Sequence, residues 1–374
     1  MNSFEKELTK RKERHLLRTL RTHKKGIDFY SNDYLGLAGS NKLSQSISNA
    51  YESLGEKKNG ATGSRLLSGN TFFIENLESQ IATFHQSESA LTYGSGYDAN
   101  LGLISCLAKK GVTLFLDELL HASLIDGARL GVATRVKFKH NDIEDLDNKL
   151  AKHQGEKLVV VESIYSMDGD LAPLEDLLKI CQKNHAGLIV DEAHAIGVFG
   201  EHGEGIAQQL GIHSKLFARI ITYGKGPGVH GAAVVGPGWL RDYQINFSRP
   251  FIFSTAPSSH FQIAIASFYQ LVGQMKDERN KLTAVVAHFI KKRSNRLGWL
   301  PSPSHIQSLI VPGNEQVVEL SRFLERHDVI ALPIRTPSVP EGQERLRFCL
   351  HAFNTVEEID HLFKTLSEWE GKSS

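Results

Sequence analysis

Cysteine is nearly missing from this 374-residue chain, which has only Cys106, Cys181 and Cys349. An odd number of distant thiols with no C-x-x-C spacing excludes a disulfide framework and a zinc ribbon. Reduced thiols, no metal and a cytoplasmic setting are the expectation. No apolar run approaches the ~20 residues that span a bilayer, so no membrane partner is expected. Neither sign of charge dominates. Lys and Arg number 43, Asp and Glu 42, for a net charge of +1. Nothing in that balance favours nucleic acid or an anionic surface. Internal repeats and low-complexity tracts are also lacking. The N-terminal stretch "MNSFEKELTKRKERHLLRTLRTHKKG" has no apolar signal core, and Glu5, Glu7 and Glu13 argue against a transit peptide. Phe4, Leu8, Leu16, Leu17 and Leu20 are roughly helix-spaced and predict a basic surface helix.

What is present is an ordinary globular composition, 41% hydrophobic and 23% charged, long enough for one large domain and a smaller one. From about residue 75 to 236, short apolar runs alternate with helical stretches. The strand candidates are "ALTYG", "VTLFLD", "KLVVVES", "GLIVDE", "RIITYG" and "AAVVG". Segments such as "PLEDLLKICQKNH" are long enough for crossover helices. The alternation predicts an α/β fold with a mostly parallel sheet covered by helices on both faces. Ligands of such sheets gather at the carboxyl ends of the strands, where Asp117, Glu162 and Asp191 fall. After "FSRPFIFSTAPSSH" a long helical stretch is expected over 258–297. Then "IQSLIV", a helix near 315–327, "DVIALPI", "RLRFCL" and a helix near 355–369 suggest a small α+β unit with antiparallel pairing.

Three readings compete for the motifs. "VDEAH" matches a helicase nucleotide motif, but that reading needs an upstream G-x-x-x-x-G-K-[ST] loop, and none exists. In "YGSGYDA", Gly94, Gly96 and Ala99 fit the dinucleotide fingerprint G-x-G-x-x-G/A, with Asp117 near the distance of a ribose-binding acid. This reading leaves Lys225, Asp191 and His194 unexplained. The third reading uses them all. Lys225 lies in "RIITYGKGPGVHGAAVVG", a glycine-rich loop between two β-branched runs, and "GLIVDEAHAIG" places Asp191 and His194 at a strand end. A loop lysine near a strand-end Asp-x-x-His suits pyridoxal phosphate, whose aldehyde the amine takes and whose pyridine nitrogen the carboxylate faces. A carboxylate about 4 Å from that nitrogen, at an effective dielectric near 20, supplies roughly 4 kcal/mol toward keeping it protonated. The Gly94–Tyr97 loop and Thr222 would take the phosphate at a helix N-terminus.

Across nearly its whole length the sequence resembles the α-oxoamine synthases, pyridoxal phosphate enzymes of fold type I. The stretches that carry the resemblance include "SNDYLGLA", "GATGSRLLSGN", "YGSGYDAN", "LHASLIDGARL", "ESIYSMDGDLAPL", "VDEAHAIGVFGEHGEG", "TYGKGPGVHGAAVVG", "FIFSTA" and "RTPSVPEGQERLRF". Family members join an amino acid to an acyl thioester and lose CO₂. The resemblance implies a large, mostly parallel seven-stranded sheet domain over 41–256 and a small α+β domain over 257–374. Residues 1–40 would form an N-terminal helix and a segment packing on the small domain. Gly231-Ala232-Ala233 stands where many relatives read Gly-Gly-aromatic. It points to L-alanine and a pimeloyl thioester, carried on CoA or a carrier protein, as substrates. The alternative is glycine or serine with another acyl group. A non-catalytic partner subunit would be expected to lack Lys225.

The resemblance also implies roles. Lys225 is the Schiff-base lysine and the base at the α-carbon. Asp191 is the pyridine-nitrogen partner, and His121 is the imidazole stacked on the ring. His194 and Ser166 lie near the 3′-oxygen, while Gly96, Tyr97 and Thr222 contact phosphate and cofactor. Ser254 and Thr255 reach the phosphate of a neighbouring subunit, which implies a homodimer with shared sites. Arg347 clamps the substrate carboxylate with Asn32 as a second contact, and Arg18 and Ser338 are substrate-side positions. Two departures stand out. Ile74 replaces a histidine common in relatives, and Pro227 follows the lysine loop's Gly226 and stiffens it.

Overall fold

The computed structural model describes residues 2–20, 22, 25–293 and 298–373. In chain order it begins with α1 (Ser3–Glu13) and β1 (Ile27–Asp28). Next come α2 (Asn41–Glu52), α3 (Phe72–Phe84), β2 (Ser89–Tyr93), α4 (Gly96–Leu107), β3 (Val112–Asp117), α5 (Ala122–Leu130), β4 (Thr134–Phe138), α6 (Ile143–Leu150) and β5 (Glu156–Glu162). They are followed by α7 (Leu174–Lys183), β6 (Ala186–Asp191), α8 (Ile206–Gln209), β7 (Ala218–Thr222), β8 (Ala232–Gly236), α9 (Gly238–Phe247), α10 (Arg249–Ile252) and α11 (Ser259–Val272). The chain ends with α12 (Lys276–Lys292), β9 (Gly298–Trp299), β10 (Ile306–Ile310), α13 (Asn314–Glu325), β11 (Val329–Ile330), β12 (Leu332–Ile334), β13 (Arg345–Cys349) and α14 (Val356–Ser373).

Two compact units divide the chain. Unit 1 is Met1–Tyr34, Ser166–Asp170 and Asn280–Ser374; unit 2 is Leu35–Tyr165 and Leu171–Arg279. The expected cuts after residues 40 and 256 therefore shift to 34 and 279. The second shift has a packing cause: α11 lies against α2 and α3 of unit 2. Arg279 then closes that unit, donating to the carbonyls of Val272 (2.8 Å) and Glu201 (2.7 Å). The single helix expected over 258–297 breaks after Val272, where Gly273 follows as the C-cap and weakens further helix.

Unit 2 is built on a seven-stranded sheet in the order β2-β8-β7-β6-β5-β3-β4. Only β8 pairs antiparallel to its neighbours, so the other six strands run one way. The apolar runs read as strands are the interior ones. All six residues of β3 and all five of β7 are buried, as expected of strands covered on both faces. Sequence pattern did not reveal β4. Its residues Thr134, Arg135 and Lys137 are exposed at the sheet edge, so its composition is that of a loop. The core beneath α4 and α5 packs Leu103, Ile104, Leu107, Leu124 and Ala128 against Leu114, Leu116, Val160 and Ile189.

Unit 1 carries a four-stranded antiparallel sheet, β12-β13-β10-β9, with α13 and α14 beside it in sequence. The run "DVIALPI" yields two strands rather than one. β11 pairs parallel with β1, and β12 pairs antiparallel with β13. Ala331 is the buried pivot between them, its carbonyl accepting from Ser321 Oγ at 2.7 Å. At the N-terminus, α1 has a capping box between Asn2 and Glu5 and buries no residue. This is the surface helix expected, although it stops before Leu16, the one N-terminal leucine that is buried.

The loop 223–231 joins β7 to β8 as a hairpin, closed by Tyr223 N–H to Gly231 O (2.9 Å) and Val229 N–H to Tyr223 O (3.1 Å). Gly228 adopts φ +68°, and a Cβ there would lie 2.4 Å from Ala38 N and 2.6 Å from Leu37. Gly228→Ala should therefore destabilise the protein by about 2–3 kcal/mol, read as a shift in denaturant midpoint at unchanged m-value.

Candidate active site

Unit 2 gathers its reactive side chains at the carboxyl ends of the parallel strands, where such sheets place ligands. Asp191 ends β6 and Glu162 ends β5, and the two are paired in register. Lys225 lies on the hairpin that leaves β7. Its Nζ is 2.8 Å from His194 Nε2. Both oxygens of Asp191 are held. Oδ1 accepts from Ala193 N–H at 2.9 Å, the turn that ends the strand, and Oδ2 accepts from Asn100 Nδ2 at 2.8 Å.

Asn100 went unnoticed in the sequence. The signal was a polar residue on the apolar stripe of α4, beside Ala99, Leu103 and Ile104. Its amide also donates to Ser123 Oγ at 2.9 Å, and Ser123 Oγ lies 2.7 Å from His121 Nδ1. His121 is the N-cap of α5. Its Nδ1 accepts from the Ser123 N–H, which leaves the ring proton on Nε2. A continuous chain of hydrogen bonds thus ties the His121 ring to the Asp191 carboxylate. Burial holds the His121 pKa below its usual value; the Asp191 charge opposes this and Lys225 adds to it.

Glu162 accepts from His121 N–H at 2.5 Å. Burial first, then the neighbouring Asp191 charge, pushes its pKa up to about 8, with Lys225 acting against the rise. Asp117 does different work. Its carboxylate accepts from Leu119 N–H (2.9 Å) and Asn141 N–H (3.1 Å) and meets His140 Nδ1 (2.9 Å), so it is consumed in capping loops. The dinucleotide reading also fails on topology, because β2 pairs antiparallel with β8 rather than opening a parallel pair.

Gly96 opens α4 behind the N-cap Ser95. A Cβ on Gly96 would stand 2.9 Å from Thr222 Oγ1, so only glycine lets the helix N-terminus and this hydroxyl lie so close together. Helix amides grouped with a hydroxyl in this way suit a phosphate. Amine, carboxylate, imidazole and helix N-terminus all lie in unit 2, and this donor set fits pyridoxal phosphate. Tyr97, in the first turn of α4, is 45% exposed and donates its hydroxyl to Asp126 at 2.7 Å. Ser254 and Thr255 are exposed beyond α10. Ile74 is fully buried in α3 and serves the core.

Unit 1 carries a second constellation. The Asp28 carboxylate turns the chain after β1 by accepting from Tyr30 N–H (2.8 Å) and Ser31 N–H (2.9 Å). Phe29 O takes Cys349 N–H from the end of β13. Asn32 is thereby brought to Arg347. Arg347 Nη2 donates to Asn32 Oδ1 and Nη1 to the Ser166 carbonyl, each at 3.1 Å. Tyr34 OH also donates to Asn32 Oδ1, at 3.0 Å. Ser166, expected beside the cofactor's 3′-oxygen, is thus seen here through its carbonyl. Arg18 Nη2 meets Ser338 Oγ at 3.1 Å at a cavity of about 550 Å³. Leu16, Leu17, Leu20, Ile330, Leu332 and Ile334 give it apolar walls.

Residues 24–366 match the family described as aminotransferase class I and II. An 8-amino-7-oxononanoate synthase from Marinobacter nauticus is 35% identical, covering 98% of this chain and 96% of its own length. The solved structure of a serine palmitoyltransferase variant from S. paucimobilis with a bound PLP–myriocin aldimine has a TM-score of 0.87 at 27% identity, over 97% of this chain and 96% of its own. The 8-amino-7-oxononanoate synthase from Francisella tularensis has a TM-score of 0.78 at 28% identity, over 93% and 98%. The chain belongs to the class I and II aminotransferase family of pyridoxal phosphate enzymes. Within it, the chain is an acyltransferase similar to the 8-amino-7-oxononanoate synthases, with pyridoxal phosphate as cofactor.

The raised pKa of Glu162 carries a stability consequence. The folded state keeps a proton on Glu162 that the unfolded chain releases near pH 4.5. Its contribution is therefore full below pH 4.5 and is lost as pH rises through about 8. Glu162→Gln, which cannot ionise, should flatten the fall in apo-protein stability between those limits. Chemical denaturation at pH 5, 6.5 and 8 tests this, and an unchanged slope would refute the raised pKa.

Proposed function

We propose that this enzyme condenses L-alanine with a pimeloyl thioester, on CoA or a carrier protein, to give 8-amino-7-oxononanoate, CO₂ and free thiol in biotin biosynthesis. The cavity beside Arg18 carries this choice. A pimeloyl group has an apolar body and a charged far end. Apolar walls with a guanidinium at Ser338 suit that shape, whereas a long fatty acyl chain has no use for the charge. The alanine pair after the lysine loop and the names of the relatives support the same choice. The similarity to serine palmitoyltransferases favours the competing reading of serine or glycine with another acyl group.

Bound pyridoxal phosphate supplies an aldehyde for the substrate amine and a ring that accepts the electron pair left on the α-carbon. Lys225 would hold the cofactor at rest, and its free Nζ would remove the α-proton, with His194 2.8 Å away to steady it. Asp191, aimed by Ala193 N–H and Asn100, would face the pyridine nitrogen. His121, its ring oriented through Ser123, would cover the ring and exclude water. Gly96, Tyr97, Thr222 and the α4 N-terminus would take the phosphate, with Ser166 assigned to the 3′-oxygen. Arg347 and Asn32 receive the amino-acid carboxylate. Asn32 Oδ1 is occupied by Arg347 and Tyr34, which sets its amide NH₂ as a donor beside the guanidinium. The α-carbon bonds to the acyl carbonyl, the thiol leaves, the carboxylate departs as CO₂, and the α-carbon takes back a proton.

A second copy of the chain completes the site in this reading. Ser254 and Thr255 are exposed, close in sequence to Phe253 at 70% exposure, while Leu67 (83%) and Phe72 (92%) are also uncovered. Exposed apolar groups of this size suit a homodimer. Among the described residues no helix is long and apolar enough to cross a membrane. A cytoplasmic enzyme acting on diffusible substrates follows from the same reading.

The test is a spectral titration of the holoenzyme with alanine, glycine and serine, followed by pimeloyl-CoA or palmitoyl-CoA. Alanine should perturb the cofactor band, and product should form with pimeloyl-CoA alone. Glycine-only or serine-only responses, or no product with pimeloyl-CoA, would overturn the assignment. Lys225→Ala should lower turnover by at least about a thousandfold. Arg18→Ala should raise KM for the pimeloyl thioester about tenfold with little change in kcat, as expected when a charge partner is lost from ground and transition states alike.

A further inference from the structure

The five-residue segment Ser166–Asp170 belongs to unit 1, although the chain on both sides of it belongs to unit 2. Its base is closed within unit 2 by the Ile164–Leu171 bridge and by Ala172 N–H to Ser163 O at 3.2 Å. Its own polar groups are held at successive points along β10, β13 and the loop before them. The Ser166 carbonyl accepts from Arg347 Nη1 (3.1 Å) and the Met167 carbonyl from Ser308 Oγ (2.5 Å). The Gly169 carbonyl accepts from Ser302 Oγ and Ser304 Oγ, both at 2.7 Å. The Asp168 carboxylate forms an ion pair with Arg345. Ser302, Ser304, Ser308 and Arg345 are all buried. A Cβ on Gly169 would fall 2.0 Å from Ile306 O, so nothing larger than glycine fits beneath the strand.

Arg345 and Arg347 are two residues apart on β13 and project from the same face. Ser308 is the register partner of Arg347 on β10. The segment therefore runs alongside this face, with Asp168 opposite Arg345 and the Ser166 carbonyl opposite Arg347. Arg345 is itself fixed from behind, its Nε donating to Gln343 O at 3.0 Å. A guanidinium has five N–H donors in one plane. Two of those on Arg347 are spent on Ser166 O and Asn32 Oδ1, one from each terminal nitrogen, and this sets the plane in which the remaining donors lie.

We propose that Asp168 is a positioning residue for the substrate-carboxylate grip. Its ion pair with Arg345 holds the segment against β13, and the segment then presents the Ser166 carbonyl that orients the Arg347 guanidinium. The proposal rests on the reading of Arg347 as the group that receives the amino-acid carboxylate. It adds a charge pair, outside the substrate's reach, whose loss is felt only by ligands that carry that carboxylate.

The experiment measures binding rather than turnover. Holoenzyme is titrated by absorbance with L-alanine and with ethylamine, the same amine without the carboxylate. Asp168→Asn, which keeps the shape and removes the charge, should weaken L-alanine binding about tenfold, the scale of a small misplacement, and leave ethylamine within about twofold. Arg347→Ala should also weaken L-alanine alone, and adding Asp168→Asn to it should cause no further loss. Equal weakening of both ligands by Asp168→Asn, or none of either, overturns the proposal while leaving Arg347 as assigned. An Arg347→Ala variant that still prefers L-alanine as the wild type does overturns the underlying reading. If Asp168→Asn does not fold, Arg345→Lys, which keeps the charge but loses the planar fork, decides the matter by the same selective loss of L-alanine binding.

Discussion

Two buried carboxylates at the ends of neighbouring parallel strands set the terms for everything around them. Asp191 and Glu162 are register partners, 4% and 3% exposed. The chain manages this proximity by giving the pair different partners. Asp191 receives two N–H donors on separate oxygens, whereas the Glu162 carboxyl receives the His121 amide beside it. Burial and the Asp191 charge then favour a proton on Glu162. One acid is held as an acceptor by two donors, and its neighbour holds a helix cap. The position of His121 follows from that division, because its backbone is tied to Glu162 while its ring is tied through Ser123 and Asn100 to Asp191.

Much of this is legible in the sequence. The strand-end Asp191, the following His194 and the loop lysine lie within a short stretch of sequence, and the apolar runs beside them are interior strands. Local patterns carry such information because each residue's neighbours are also its sequence neighbours. The unit 1 cluster is different. Asn32 and Arg347 are 315 residues apart, and Arg18 and Ser338 are 320 apart. No periodicity links residues so distant, and only resemblance to a family suggested them. β4 escaped notice because an edge strand with one buried residue has no apolar signature. Asn100 escaped because a single polar residue in an apolar helix reads as an exception until its partner is seen.

The two units solve the problem of holding polar groups indoors by the same means. At each candidate site the buried polar groups are held by named partners. Asp191 is pinned through each oxygen, Asn32 Oδ1 accepts from Arg347, Tyr34 and Cys349, and Arg347 is anchored through each terminal nitrogen. Away from the site, Arg65 and Arg241 share Glu75 and Glu78, and Arg219 pairs with Glu192 beneath the sheet. A buried charge with saturated geometry loses little on meeting a ligand, since its reorganisation is already complete.

The hairpin that carries Lys225 has a consequence for how this sequence can vary. Strand β8 is zipped on both sides, to β7 through Thr222↔Ala232 and to β2 through Tyr93↔Ala232. Inserting or deleting one residue between Tyr223 and Gly231 would disturb the backbone hydrogen bonds that close the hairpin or slip β8 by one position. A slip would exchange the faces of Ala233, Val234 and Val235 in a strand packed on both sides. Apart from Lys225, Gly228 and Gly231, the last two at positive φ and without room for a Cβ, the loop can drift in composition while its length stays locked. Homologues and engineered libraries alike should tolerate exchanges around the lysine far better than indels.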